Sequence, residues 1–142
     1  GSKTVLPAKA SAKVDFRLVP EQTPSQVLEQ LRRHLDERGF TDVEFEFLGG
    51  GPPARTDPDH PFVNLVVEAS KGIYRSPMEL VPMVGGSGPN YAFVHTLDLP
   101  VVTAGLSYPG TNAHAPNENI RLDLFLKHTK HMTRIITAFA EK

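Results

Sequence analysis

Cysteine is absent from the 142 residues, which excludes a disulfide framework, thiolate catalysis and cysteine-ligated zinc. An excess of one charge is absent too. Lys and Arg number 15 against 16 Asp and Glu, a formal net charge of -1, so the chain carries no broad electrostatic footprint for nucleic acid or an anionic membrane. No apolar run approaches the ~20 residues that cross a bilayer. No leader peptide is visible, and the expected compartment is the cytoplasm. No two glutamates are adjacent, so a complete hydrolytic metal site cannot be assembled from obvious ligands.

What remains is the composition of a globular protein, 39% apolar and 22% charged. The length suits one ordinary domain or two small lobes. From Ala8 to Leu18 apolar even positions alternate with polar odd ones, predicting a strand with Arg17 on its wet face. Thr23-Pro24-Ser25-Gln26 is a capping box with proline at the first helical position, and Gly39 ends the helix it starts. Val43, Phe45 and Phe47 alternate with glutamates in a second predicted strand. The first lobe thus reads β-α-β.

Gly49 to Pro53 and the turn Asp57-Pro58-Asp59-His60-Pro61 mark a boundary. Beyond it, helical spacing resumes at Phe62, Leu65, Val66, Ala69 and Ile73. A short strand follows over 78–84, a turn Gly85-Gly86-Ser87-Gly88-Pro89, a short helix bearing Tyr91 and His95, a buried strand over 99–106, and a terminal helix over 122–139. On that last helix Leu122, Phe125, Leu126, Met132, Ile135, Ile136 and Phe139 are expected inside, with His128 and His131 solvated. The second lobe reads α-β-α-β-α. The expected fold class is α/β: a partial β-α-β lobe of α+β character, then a layered α/β portion.

One histidine stands apart. His114, within Asn112-Ala113-His114-Ala115-Pro116-Asn117-Glu118, follows an apolar strand and a Gly-rich turn. By residue type alone it reads as a hydrogen-bonded loop histidine. Arg17 by the same measure reads as a solvated cation, the commoner fate of such an arginine, and Gly86-Ser87 serves equally as a plain tight turn. His34 lies in a charged part of its helix, and His60 in the turn before the next.

Four segments in order, Lys3–Ala10, Asp15–Pro20, Gly85–Pro89 and Asn112–Glu118, resemble the C-terminal part of the M20 metallopeptidase family. Its carnosinase-like and succinyl-diaminopimelate desuccinylase-like branches are nearest, although Met83 and Val84 stand where carnosinase-like members often carry charges. The resemblance implies a dimeric enzyme with a two-zinc catalytic domain and an inserted lid. Residues 3–56 would be the end of the lid and 57–142 the end of the catalytic domain, the other metal ligands and the catalytic glutamate lying in an earlier segment.

It implies, further, that His114 is a zinc ligand, that Arg17 with the Gly86-Ser87 loop holds a substrate carboxylate, and that Thr4 reaches a neighbouring subunit's site. The implied substrate is a small peptide or an N-acyl amino acid, with no catalytic residue in this stretch and no turnover by it alone. The rival reading is a non-catalytic dimerisation module.

Overall fold

A computed structural model describes residues 4–141. Three α-helices carry its regular structure: α1 over Pro24–Glu37, α2 over Pro61–Ala69 and α3 over Leu122–Ala140, with a single π-helical turn at Ala92–Thr96 between the last two. Among the described residues no helix is long and apolar enough to cross a membrane.

The helix starts are local chemistry. At α1 the Thr23 hydroxyl accepts the Gln26 N–H at 3.3 Å, and the Gln26 side-chain oxygen accepts the Thr23 N–H at 3.0 Å. Two amides that no turn of helix can satisfy are thereby paired. Gly39, at φ +83°, takes the left-handed turn that stops the helix. At α2 the His60 Nδ1 accepts the Phe62 N–H at 3.1 Å, so this histidine, which closes the preceding turn by donating its N–H to the Asp57 carbonyl at 3.0 Å, also caps the helix.

The predicted α/β class is not what forms. Among the described residues no strand is present: 8–18, 43–47, 78–84 and 99–106 lack regular structure. Alternation specifies a face, but a strand exists only where a second backbone takes its N–H and C=O groups. The backbone bonds outside the helices close turns and caps rather than ladders. Both the β-α-β lobe and the α-β-α-β-α portion therefore lack their sheets.

Side chains take over part of that work. Arg32 donates to the Val43 carbonyl at 2.6 Å and the Phe40 carbonyl at 2.8 Å. It also pairs with Asp36 at 2.6 Å and lies 4.8 Å from the Phe45 ring centre, tying 40–45 back onto α1. Farther on, the Thr56 hydroxyl donates to the Val101 carbonyl and accepts the Val101 N–H, both at 2.8 Å.

The core lies between α2 and α3, where Val63, Leu65 and Val66 are buried. The predicted inner face of α3 is rotated away from the one that packs: Leu122, Phe125, Leu126, Ile136 and Phe139 are exposed, whereas Leu124, His128, Met132 and Ile135 are half-buried and His131 is fully buried. His131 thus overturns the expectation that it is solvated. Its Nε2 lies 2.8 Å from the Val66 carbonyl and its Nδ1 3.3 Å from the Tyr74 hydroxyl. The Nε2–H tautomer fits both contacts, donating to a carbonyl of the last turn of α2 and accepting from the phenol.

With so small a core the surface is large. The chain exposes 11904 Å² at 15.6 kDa, against roughly 7,000 Å² for a compact folded monomer of that mass. Val14, Phe16, Phe45, Phe47, Leu48 and Leu99 all lie on it.

Candidate functional site

Arg17 and the glycine turn, 70 residues apart in sequence, meet in space. The Arg17 Nη1 donates to the Ser87 hydroxyl at 2.5 Å, and a side chain grown on Gly85 would come within 4.0 Å of the Arg17 stem. Arg17 also lies 3.8 Å from Asp15, an ion pair whose partners are both exposed and so weakly held. The rest of the guanidinium fork faces no other hydrogen-bonding partner among the described residues. Such a fork beside a hydroxyl and a glycine-lined backbone can take a planar anion with two parallel hydrogen bonds. No side chain projects from Gly86, where a Cβ would meet only the Val84 side chain at 3.8 Å; a ligand can approach its main chain closely.

His114 sits on a separate loop, exposed, with φ +61°. Asn112 and Asn117 flank it, also left-handed at +51° and +62°. Asparagine adopts that conformation more readily than most residues; histidine, although enriched there too, does so uncommonly. Thr4 is exposed at the edge of the described residues. The structure brings Arg17, Gly85 and Ser87 together, and it shows no contact between them and His114 or Thr4.

One His-x-Asp sequence, His34-Leu35-Asp36, occurs in the chain. It lies inside α1, where Asp36 is engaged by Arg32. Among the described residues no three or more His, Asp or Glu side chains gather where a metal could be held. A catalytic zinc takes three protein ligands and an open position. The single exposed imidazole of His114 therefore does not fit a zinc centre by itself.

Two open grooves lie away from these residues. One, of about 510 Å³, runs along α1 between Leu28 and Phe45. The other, of about 780 Å³, lies between α2 and α3 and is edged by Glu68 and Arg134. The first is lined by charged side chains of α1, Glu29, Arg33 and Glu37 among them, and the second by Asn64, Thr133 and Thr137 as well, but neither is lined by a histidine. Asn119 was missed by sequence reasoning: it makes five hydrogen bonds around the His114 loop. A polar residue just past a motif gives no sign of this beyond its capacity to donate and accept at once.

The family model described as peptidase family M20/M25/M40 matches residues 1–138. The chain belongs to this family. Its ordered motifs had pointed there. Among curated relatives it is 26% identical over 135 residues to the Cys-Gly metallodipeptidase dug1 of Schizosaccharomyces pombe, covering 92% of this chain and 28% of that protein. It is 25% identical over 146 residues to the probable di- and tripeptidase DUG2 of Saccharomyces cerevisiae, covering 96% of this chain and 16% of that protein. The M20 family metallo-carboxypeptidase Sso-CP2 of Sulfolobus solfataricus superposes with a TM-score of 0.71 at 34% identity, over 86% of this chain and 28% of that one. The chain thus spans well under a third of the length of these relatives. As an M20 member it belongs to a family of metal-dependent peptide hydrolases.

Proposed function

We propose that this chain supplies the carboxylate-holding part of an M20-type hydrolase that cleaves an amide bond in a small peptide or an N-acyl amino acid. The observation that carries the reading is the Arg17–Ser87 hydrogen bond, which joins two separately identified motifs at one place. The guanidinium grips the carboxylate, the Ser87 hydroxyl and the backbone at Gly86 complete the grip, and Asp15 is displaced by the incoming anion. The names of the relatives, a dipeptidase, a di- and tripeptidase and a carboxypeptidase, support a peptide with a free carboxylate. Residues 3–56 are then a lid segment and 57–142 a catalytic-domain segment, with Thr4 on the lid side directed to a substrate oxygen in a neighbouring subunit.

Zinc, two ions in the whole enzyme, is the metal we assign. Bound there, it would lower the pKa of a water and polarise the scissile carbonyl. His114 would be one ligand among several, and no other residue of this chain is given that role. The described residues supply neither a complete ligand set nor a base beside it. We therefore expect the chain alone to show no dipeptide hydrolysis, with or without added zinc. Turnover that a chelator abolishes and zinc restores would refute this.

The exposed apolar residues favour a second reading of the same chain as an assembly element. Unpaired segments with apolar alternation are templates for pairing with another copy. Light scattering over a concentration series is expected to show a homodimer or larger species at tens of micromolar. A monodisperse monomer throughout, melting cooperatively, would rule self-association out.

A further inference from the structure

The His114 loop is closed around one residue. The Asn119 side-chain oxygen accepts from the Tyr108 hydroxyl. Its amide nitrogen donates to the Gly110 carbonyl at 3.1 Å and the Asn117 carbonyl at 2.9 Å. Its main-chain N–H donates to the Thr111 carbonyl at 3.0 Å, and its own carbonyl accepts the Thr111 hydroxyl at 2.7 Å. Both ends of the loop are thereby fastened to the same side chain and backbone unit. Only an amide can do this, because the position must accept from a phenol and donate to two carbonyls at once.

A second feature points the same way. A Cβ at Gly110 would come within 2.7 Å of the Tyr108 ring, so the ring that reaches Asn119 occupies the space a side chain at Gly110 would need. Glycine at 110, tyrosine at 108 and asparagine at 119 form one closure. Inside it three non-glycine residues are left-handed, His114 among them, and the Ala115 N–H is held by the Asn112 carbonyl at 3.0 Å. A histidine in that conformation persists where its surroundings impose it.

We propose that Asn119 is the positioning residue of His114, fixing the left-handed backbone from which the imidazole is presented. Tyr108 seated on Gly110 holds the Asn119 side chain in turn. The role rests on reading His114 as the functional residue of this loop, and the two can fail separately.

The test is NMR on the full chain, comparing the parent with Asn119→Asp and Gly110→Ala. Asn119→Asp keeps the acceptor for Tyr108 and removes both donors. Gly110→Ala leaves Asn119 intact and displaces the tyrosine ring. Both are expected to abolish the strong intraresidue Hα–HN contact that marks a left-handed His114. Both should also speed exchange of the Ala115 and Asn119 amides by about tenfold or more, while the α2–α3 amides stay as protected as in the parent. Asn119→Gln, one methylene too long, should not restore the loop. A left-handed His114 that survives in both Asn119→Asp and Gly110→Ala would overturn the proposal. The reading of His114 itself fails independently, if His114→Ala leaves hydrolysis by the whole metal-loaded enzyme unchanged.

Discussion

Replacing His131 with alanine should cost the α2–α3 pair about 3 kcal/mol, close to all the stability that so small a core can hold. The side chain is fully buried between the helices, and both of its nitrogens have partners. Its removal opens a cavity beside Val66 and strands a carbonyl in the last turn of α2, where no intrahelical amide is available to replace the imidazole. Urea melts followed by helical circular dichroism would measure the loss, and a loss below about 1 kcal/mol would show that the histidine is a filler rather than the joint between the helices. Acid should act in the same direction. His128 lies beside it, ring centroids 6.4 Å apart, and burial, with the nearness of His131, holds its pKa below the usual 6.5. The unfolded chain therefore takes up that proton first, and stability falls as the pH drops from 6.5 to the lowered folded-state value. Below that value this group removes nothing more. His128→Gln should flatten the dependence.

Arg17→Ala should separate substrates by their C-termini. In the metal-loaded whole enzyme, a peptide with a free carboxylate loses a charge-assisted bidentate partner, an effect of about 1.5–3 kcal/mol or roughly 10- to 100-fold in kcat/KM. The C-terminally amidated analogue has little to lose. Ser87→Ala, which removes one hydroxyl from the same grip, should move the ratio less and in the same direction. Equal losses for acid and amide would mean that Arg17 braces the glycine turn and does not meet the substrate. Lysine at 17 should recover only part of the discrimination, because an ammonium lacks the planar fork.

The helices were legible because their signals are local. Thr23, Pro24 and Gln26 start α1 within four residues, and Gly39 stops it, so no distant partner is consulted. The strands were not, because pairing is a relation between two segments, and the alternation at Val43, Phe45 and Phe47 says nothing about whether a second backbone lies alongside. The face of α3 was misread for a different reason. Both sides of that helix carry apolar residues, and the denser stripe, Leu122 to Phe139, looked like the interior. The side that packs is centred on a histidine, whose polarity is silenced by Val66 and Tyr74, residues that lie far away in the sequence. In the candidate site, the order of the four motifs identified the family and nominated Arg17 and Ser87, and their contact followed. Asn119 could not be picked out, since three of its four partner residues, Tyr108, Gly110 and Thr111, become neighbours only after the loop has closed.

The Arg17–Ser87 bond closes a stretch of 70 residues, and for a free loop of that size the length-dependent entropy of closure is about 4 kcal/mol. One charge-assisted hydrogen bond returns less than that. That bond alone therefore holds the two halves of the grip weakly, and on the proposed function an anion bound between them would supply the missing free energy. Substrate affinity and chain order would then be a single linked quantity. A small carboxylate should draw residues 17 and 87 together measurably, by energy transfer between dyes placed nearby, before any bond is cut.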